Sequence, residues 1–181
     1  MSGPLPSFLI DIARIPAVAV GLPIALGGLV GYAVNTRNAW FSSLKQPALN
    51  PPAWAFGPVW TILYGMMGYA SHLVSEVAVK NIDPATRDMA NTALGLYYAQ
   101  LALNLSWMPL FFSAKSPFVA LADMLTLTST VFVMTDVMNV LPTRFPTIYL
   151  LAPYCGWLAY ATYLNVGLCY LNWNSKVDRK P

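Results

Sequence analysis

Residues 51–75 read PPAWAFGPVWTILYGMMGYASHLVS. Two prolines open the stretch. From Trp54 to Ser75 there is no Asp, Glu, Lys or Arg, and His72 is the one imidazole. A run of this length meets the about 20 residues needed to cross a hydrocarbon core. Four further runs behave alike: 15–34, 89–112, 117–140, which contains only Asp123 and Asp136, and 147–173. Hydrophobic residues make up 57% of the chain and charged residues 9%, against roughly 25% charged in soluble domains. A soluble protein with five buried helices would need polar faces on them, and these runs carry none. The expectation is an all-α integral membrane protein, a bundle of five transmembrane helices forming one domain over residues 1–181.

The first run does not read as a cleaved signal, because its first cation is Arg14 and no small-residue cleavage site follows. Nor is it an Arg-rich, acid-free presequence, since Asp11 accompanies Arg14. Five spans put the termini on opposite sides. The N-side segments carry Arg14, Lys80, Arg87 and Arg144; the C-side segments carry Arg37, Lys45, Lys115, Lys176, Arg179 and Lys180. This excess favours a cytoplasmic C-terminus. A modest basic tail on anionic lipid accounts for the net charge of +3, and no nucleic-acid partner is expected. Cys155 and Cys169 lie fourteen apart in the fifth run, too far to bridge within one helix, and read as small packing residues. No metal-ligand pattern, catalytic triad or phosphate loop is present, and no cofactor is expected.

Polar side chains inside a span should face other helices or a cavity. In the third run Tyr97, Gln100, Asn104, Trp107 and Phe111 are spaced three, four, three and four, one helical stripe. Two carboxamides among aromatics resemble a site lining; they would equally serve as interhelical hydrogen bonds that only fix packing. In the fifth run Tyr154, Trp157, Ala161, Asn165, Leu168 and Asn172 share a stripe, with Ala161 its small position. Gly21, Gly27, Gly28 and Gly31 in the first run let backbones approach. Asp123 reads as a shallow residue reaching the interface or Lys115. Spans that are unrepeated and nearly free of ionisable groups disfavour ion-coupled transport. The loop 37–52 joins the first two spans on the C-side. Asn50 can cap and Pro51 and Pro52 can open the second helix. Trp54 suits the aromatic belt of a membrane protein; Trp60 lies deeper.

WFSSLKQPALNPPAWAFGPVWTILYGMMGYAS, GLYYAQLALNLSWMPLFF, VALADM and GWLAYATYLN together resemble the translocator protein family, also called tryptophan-rich sensory proteins or peripheral benzodiazepine receptors. The resemblance covers about residues 15–173 and is closer to eukaryotic members. It implies five transmembrane helices, often dimeric, and a pocket opening towards the cytosolic face under the loop 37–52. The implied ligands are porphyrins such as protoporphyrin or haem, cholesterol, isoquinoline carboxamides and benzodiazepines. The implied location is the mitochondrial outer membrane. Carried over by position, the roof and upper pocket include Trp40, Pro47, Trp54, Phe56, Gly57 and Trp60. The third helix contributes Gln100, Asn104 and Trp107, and the fifth Trp157, Ala161, Leu164 and Asn165.

Three positions depart from the animal pattern. Val119 stands where a tryptophan often precedes ALAD, which takes away one aromatic wall. Asn50 occupies the region of a histidine. Val166 replaces the tyrosine of the sterol motif, for which Leu168, Tyr170 and Lys176 offer a shifted match. The leading expectation is a receptor or carrier for tetrapyrroles and sterols: aromatic walls stack on a flat disc while carboxamides and indole N–H groups meet its polar rim. With no obvious axial ligand, free porphyrin fits better than haem iron. The alternatives are a light-dependent porphyrin-degrading enzyme, which no acid–base pair supports, and a structural scaffold.

Overall fold

The computed structural model describes residues 5–34, 36 and 38–173, and no strand occurs among them. Proline sets where several helices start. An amphipathic helix α1 (Ser7–Arg14), which the hydropathy runs do not reveal, stops at Ile15, whose extended backbone is what a following proline demands. Helix α2 (Pro16–Ala33) then begins with Pro16 in its first turn, where the missing N–H costs nothing. The same device opens α5 (Pro84–Met108) and α6 (Pro117–Asn139).

The segment between α2 and α4 differs from the expectation in two ways. It contains a short helix α3 (Ala39–Ser43), whose first turn is capped by Asn38 Oδ1 accepting the Phe41 N–H at 2.8 Å. Asn50 does not cap α4 (Ala53–Lys80); its amide donates to Gln46 Oε1 at 3.2 Å instead. Pro52 is extended, so the proline pair leads into α4 rather than forming its first turn. Arg37, at the start of the expected loop, lies outside the described residues. α5 passes into a five-residue π-helical segment at Pro109–Ser113, and α7 (Ile148–Asn172) closes the described chain.

The long helices pack side by side in the order α2, α4, α7, α6, α5, with α4 also against α5 and α1 lying on α2 and α4. Helices α2 and α6 are long and apolar enough to cross a membrane by length and composition. The other three runs expected to span carry more polar and amphipathic side chains: Gln100 and Asn104 on α5, and several tyrosines and asparagines on α7. Large apolar side chains, among them Leu29, Ile62, Phe132 and Val133, are exposed on the outer surface.

Of the four α2 glycines expected to allow close approach, Gly27 alone packs tightly, and Gly68 of α4 supplies the other close contact. A Cβ on Gly68 of α4 would collide with the Ala19 carbonyl oxygen, and one on Gly27 with the Tyr64 ring. Gly21, Gly28 and Gly31 face open space. His72 is buried, its Nδ1 lying 3.1 Å from the Ala13 carbonyl oxygen, and so ties the end of α1 to α4. Asp123 does not reach Lys115. It is half-buried on α6, and its Oδ2 is buried without a hydrogen-bond partner. Cys155 and Cys169 are not joined in a disulfide, and Cys169 Sγ accepts from Asn165 Nδ2 at 3.7 Å.

Candidate functional site

Helical spacing puts Gln100 and Asn104 one turn apart on α5, and both side chains are buried. Tyr64 of α4 donates to Asn104 Oδ1 at 2.5 Å. Asn104 Nδ2 donates to the Tyr154 hydroxyl of α7 at 2.9 Å, and that hydroxyl donates to Gln100 Oε1 at 2.7 Å. Gln100 Nε2 reaches Met67 Sδ at 3.3 Å. Three helices are thus joined through one polar chain whose carboxamides are engaged, as buried polar groups must be. Tyr64 and Tyr154 were not among the expected site residues. Their signal was present in the spacing, since Tyr64 follows Trp60 by four and Tyr154 precedes Trp157 by three.

Above this chain lies a group of rings. Trp60 meets Tyr64, Tyr154 and Trp157 at centroid distances of 5.6, 6.1 and 6.4 Å. Trp157 also meets Phe56 at 5.9 Å and Tyr160 at 5.6 Å. The indole N–H of Trp157 is buried and has no hydrogen-bond partner. Such a group carries a desolvation cost of about 1–3 kcal/mol. Ala161, one turn beyond Trp157, is half-buried and packs on the core beside it.

A second aromatic group sits beneath α3. Trp107 stacks on Phe111 at 5.0 Å and 16°, and Trp40 and Phe41 meet Phe111 edge-on. The Trp107 N–H donates to Asn165 Oδ1 at 2.9 Å, and Asn165 Nδ2 donates to the Pro117 carbonyl at 3.3 Å. These two candidate residues are therefore paired with each other and with the start of α6. Leu164 is buried nearby on α7.

The α3–α4 connection is strapped along α7. The Asn172 side chain accepts the Lys45 N–H and donates to the Lys45 carbonyl, both at 3.0 Å. Pro47 is buried against Gly167, where a Cβ would come within 2.7 Å of it. Tyr163 donates to the Ala48 carbonyl at 3.1 Å, and Tyr160 donates to the Leu49 carbonyl. Leu49 takes a left-handed φ of 62° that L-residues seldom adopt.

Several expected residues stand apart. Trp54 is 76% exposed and Gly57 is exposed, so neither joins the ring group. Val119 is half-exposed on the outer surface of α6, so its missing aromatic ring removes nothing from the Trp60–Trp157 group. Leu168 is buried beside Leu44 whereas Tyr170 is 81% exposed, so the two do not share a face. Lys176, the third member of that sterol motif, lies outside the described residues.

Residues 19–171 match the pattern of the TspO/MBR family. The chain is 43% identical over 152 residues to the translocator protein homolog of Schizosaccharomyces pombe, covering 83% of this chain and 88% of that protein. It is 38% identical over 154 residues to the human translocator protein, with 83% and 86% covered. It is 34% identical over 158 residues to the tryptophan-rich protein TspO of Chlorobaculum tepidum, with 86% and 94% covered. The family match runs from the first long helix into the last. The chain belongs to the TspO/MBR family and is a helical membrane protein of translocator or receptor type.

Proposed function

We propose that all five long helices, α2, α4, α5, α6 and α7, cross the bilayer and that the chain is a receptor or carrier for flat, largely apolar ligands with a polar rim. Tetrapyrroles such as protoporphyrin fit this description best, and cholesterol, isoquinoline carboxamides and benzodiazepines share the same site. The carrying observation is the buried, unpartnered indole N–H of Trp157 within the ring group of Phe56, Trp60 and Tyr160. Rings supply stacking area, and the N–H supplies a donor for a ligand carbonyl or carboxylate. The strapped segment 45–49 lies on the same helix as this group, so ligand entry requires the strap to yield. On this reading the chain works in the outer mitochondrial membrane as a homodimer with its C-terminus cytosolic, a reading supported by its similarity to eukaryotic translocator proteins. Free porphyrin is preferred over ligated haem iron, because the His72 ring is held at α1, away from the ring group.

A second role for Gln100 and Asn104 is favoured by a specific observation. Their carboxamides are engaged by Tyr64 and Tyr154, so they fix the packing of α4, α5 and α7. Protoporphyrin titration with tryptophan fluorescence tests the proposal. Saturable quenching is expected, with a weaker dissociation constant in Trp157→Phe. Quenching without saturation, or equal affinity in the variant, contradicts it.

A further inference from the structure

At the end of the molecule away from the strap, a cavity of about 260 Å³ opens between the last turns of α4 and the α6–α7 connection. Leu73, Val77 and Pro142 form its apolar part, and Glu76, Lys80, Asn81 and Arg144 its polar part. Lys80 Nζ donates to Glu76 Oε1 at 2.7 Å. Arg144 Nε lies 3.9 Å from Glu76 Oε2, and Arg144 Nη2 donates to the Tyr69 hydroxyl at 3.0 Å. The Arg144 guanidinium also sits 5.9 Å from the Tyr69 ring centre. Two cations are thereby held on either side of one carboxylate.

The donor count exceeds the acceptors that hold it. A guanidinium has five N–H groups and an ammonium three. Glu76 and Tyr69 take one contact from Lys80 and two from Arg144. The remaining donors belong to side chains that are 70% and 59% exposed. With Glu76 ionised, the three charges sum to +1. A phosphodiester carrying a single negative charge complements that sum. A zwitterionic headgroup would bring a second cation towards Lys80 and Arg144. The exposed apolar residues Ile82, Val140 and Tyr149 belong to the same end of the fold, and apolar side chains line the cavity beside its charges.

We propose that this cavity binds the phosphate headgroup of an anionic phospholipid, with Lys80 and Arg144 as its ligands and the glycerol end of the lipid against the apolar wall of Leu73, Val77 and Pro142. The site rests on the reading that α4, α6 and α7 cross the bilayer. Glu76 holds the two cations in place while the site is empty and competes with the phosphate for them. Its removal therefore strengthens binding, the opposite of what a purely structural ion pair would show.

The test uses the full chain in detergent with native mass spectrometry, titrating phosphatidylglycerol, phosphatidylcholine and glycerol 3-phosphate separately. One tight phosphatidylglycerol is expected, favoured over phosphatidylcholine by about fivefold, the scale of one cation at an anionic surface. Lys80→Gln with Arg144→Gln should abolish the preference, and Glu76→Gln should increase it. Glycerol 3-phosphate should compete weakly. Competition as strong as the lipid's would make this a free-phosphate site and overturn the lipid assignment. So would an unchanged preference in the double variant, or a loss in Glu76→Gln when its thermal melt matches wild type. Carbonate extraction separates the two proposals. A protein that stays in the membrane pellet yet shows no lipid preference refutes this site alone, and one that is extracted refutes the membrane reading.

Discussion

The Tyr154 hydroxyl stands between two carboxamides of α5, accepting from Asn104 at 2.9 Å and donating to Gln100 at 2.7 Å. A hydroxyl used in both directions fixes the orientation of both amides. Asn104→Leu removes one partner from Tyr154 and the acceptor of Tyr64. A buried interhelical hydrogen bond in a membrane averages about 0.6 kcal/mol, so the loss should be modest and the helices should still assemble. Thermal unfolding in detergent checks this. A variant that fails to fold would mean that the chain is worth far more than its separate bonds.

Gly68→Ala should destabilise the protein by about 1–3 kcal/mol, the usual cost of forcing atoms into a packed contact. The added Cβ meets the Ala19 backbone, which cannot rotate away. Gly28→Ala, with nothing within 4 Å of its Cβ, should be neutral or stabilising because alanine favours helix over glycine by about 1 kcal/mol. Melting temperatures of the pair give the contrast. Equal shifts would show that α2 and α4 do not meet through Gly68.

Asn172→Ala removes both side-chain bonds to the Lys45 backbone. The strap should loosen while α7 stays helical. Limited trypsin digestion should then cut after Lys45 several-fold faster, about the effect expected for losing roughly 1 kcal/mol of hydrogen bonding. Unchanged cleavage would mean that Pro47, Tyr160 and Tyr163 hold the segment without Asn172.

Asp83 caps α5, accepting the Thr86 N–H at 2.9 Å and the Thr86 hydroxyl at 2.6 Å. These bonds, the hydroxyl's foremost, hold its carboxyl below the ordinary value. A folded value below the unfolded one gives stability that is present above the unfolded value and lost as pH falls through the folded one. The protection of the Thr86 amide, the slowing of its exchange relative to an unstructured peptide at the same pH, should therefore fall as the pH drops below about 4. In Asp83→Ala protection should already be low at neutral pH, without that acid step. An acid step that survives the substitution would assign it to another group.

Charge-free runs located the long helices, and the three–four spacing located the face of α5 that carries Gln100 and Asn104. Periodicity succeeds there because a residue's face follows from its position on the helix. It does not identify the partner. Nothing in the sequence says that Asn104 would meet tyrosines from α4 and α7, since that depends on how three helices pack. Helix α1 was illegible to a search for long apolar runs because it is short and amphipathic. The strap was illegible for a different reason: Tyr160, Tyr163 and Asn172 bind backbone groups of residues 45–49, and a backbone carries no sequence signal. The sequence set Trp54 at the aromatic belt and Trp60 deeper, and the structure keeps that difference, with Trp54 exposed and Trp60 turned inward.

Protoporphyrin binding to two alanine variants of α7 tests the central claim most directly. Ala161 is half-buried beside Trp157, while Ala159 is exposed about 200° away around the helix. Ala161→Phe places a ring where a flat ligand must lie, and phenylalanine is well tolerated in a membrane span. Affinity should fall at least about tenfold in Ala161→Phe, a loss of about 1.4 kcal/mol, and stay near wild type in Ala159→Phe. A loss confined to Ala159→Phe, or equal loss in both, would contradict a ligand site on this face of α7.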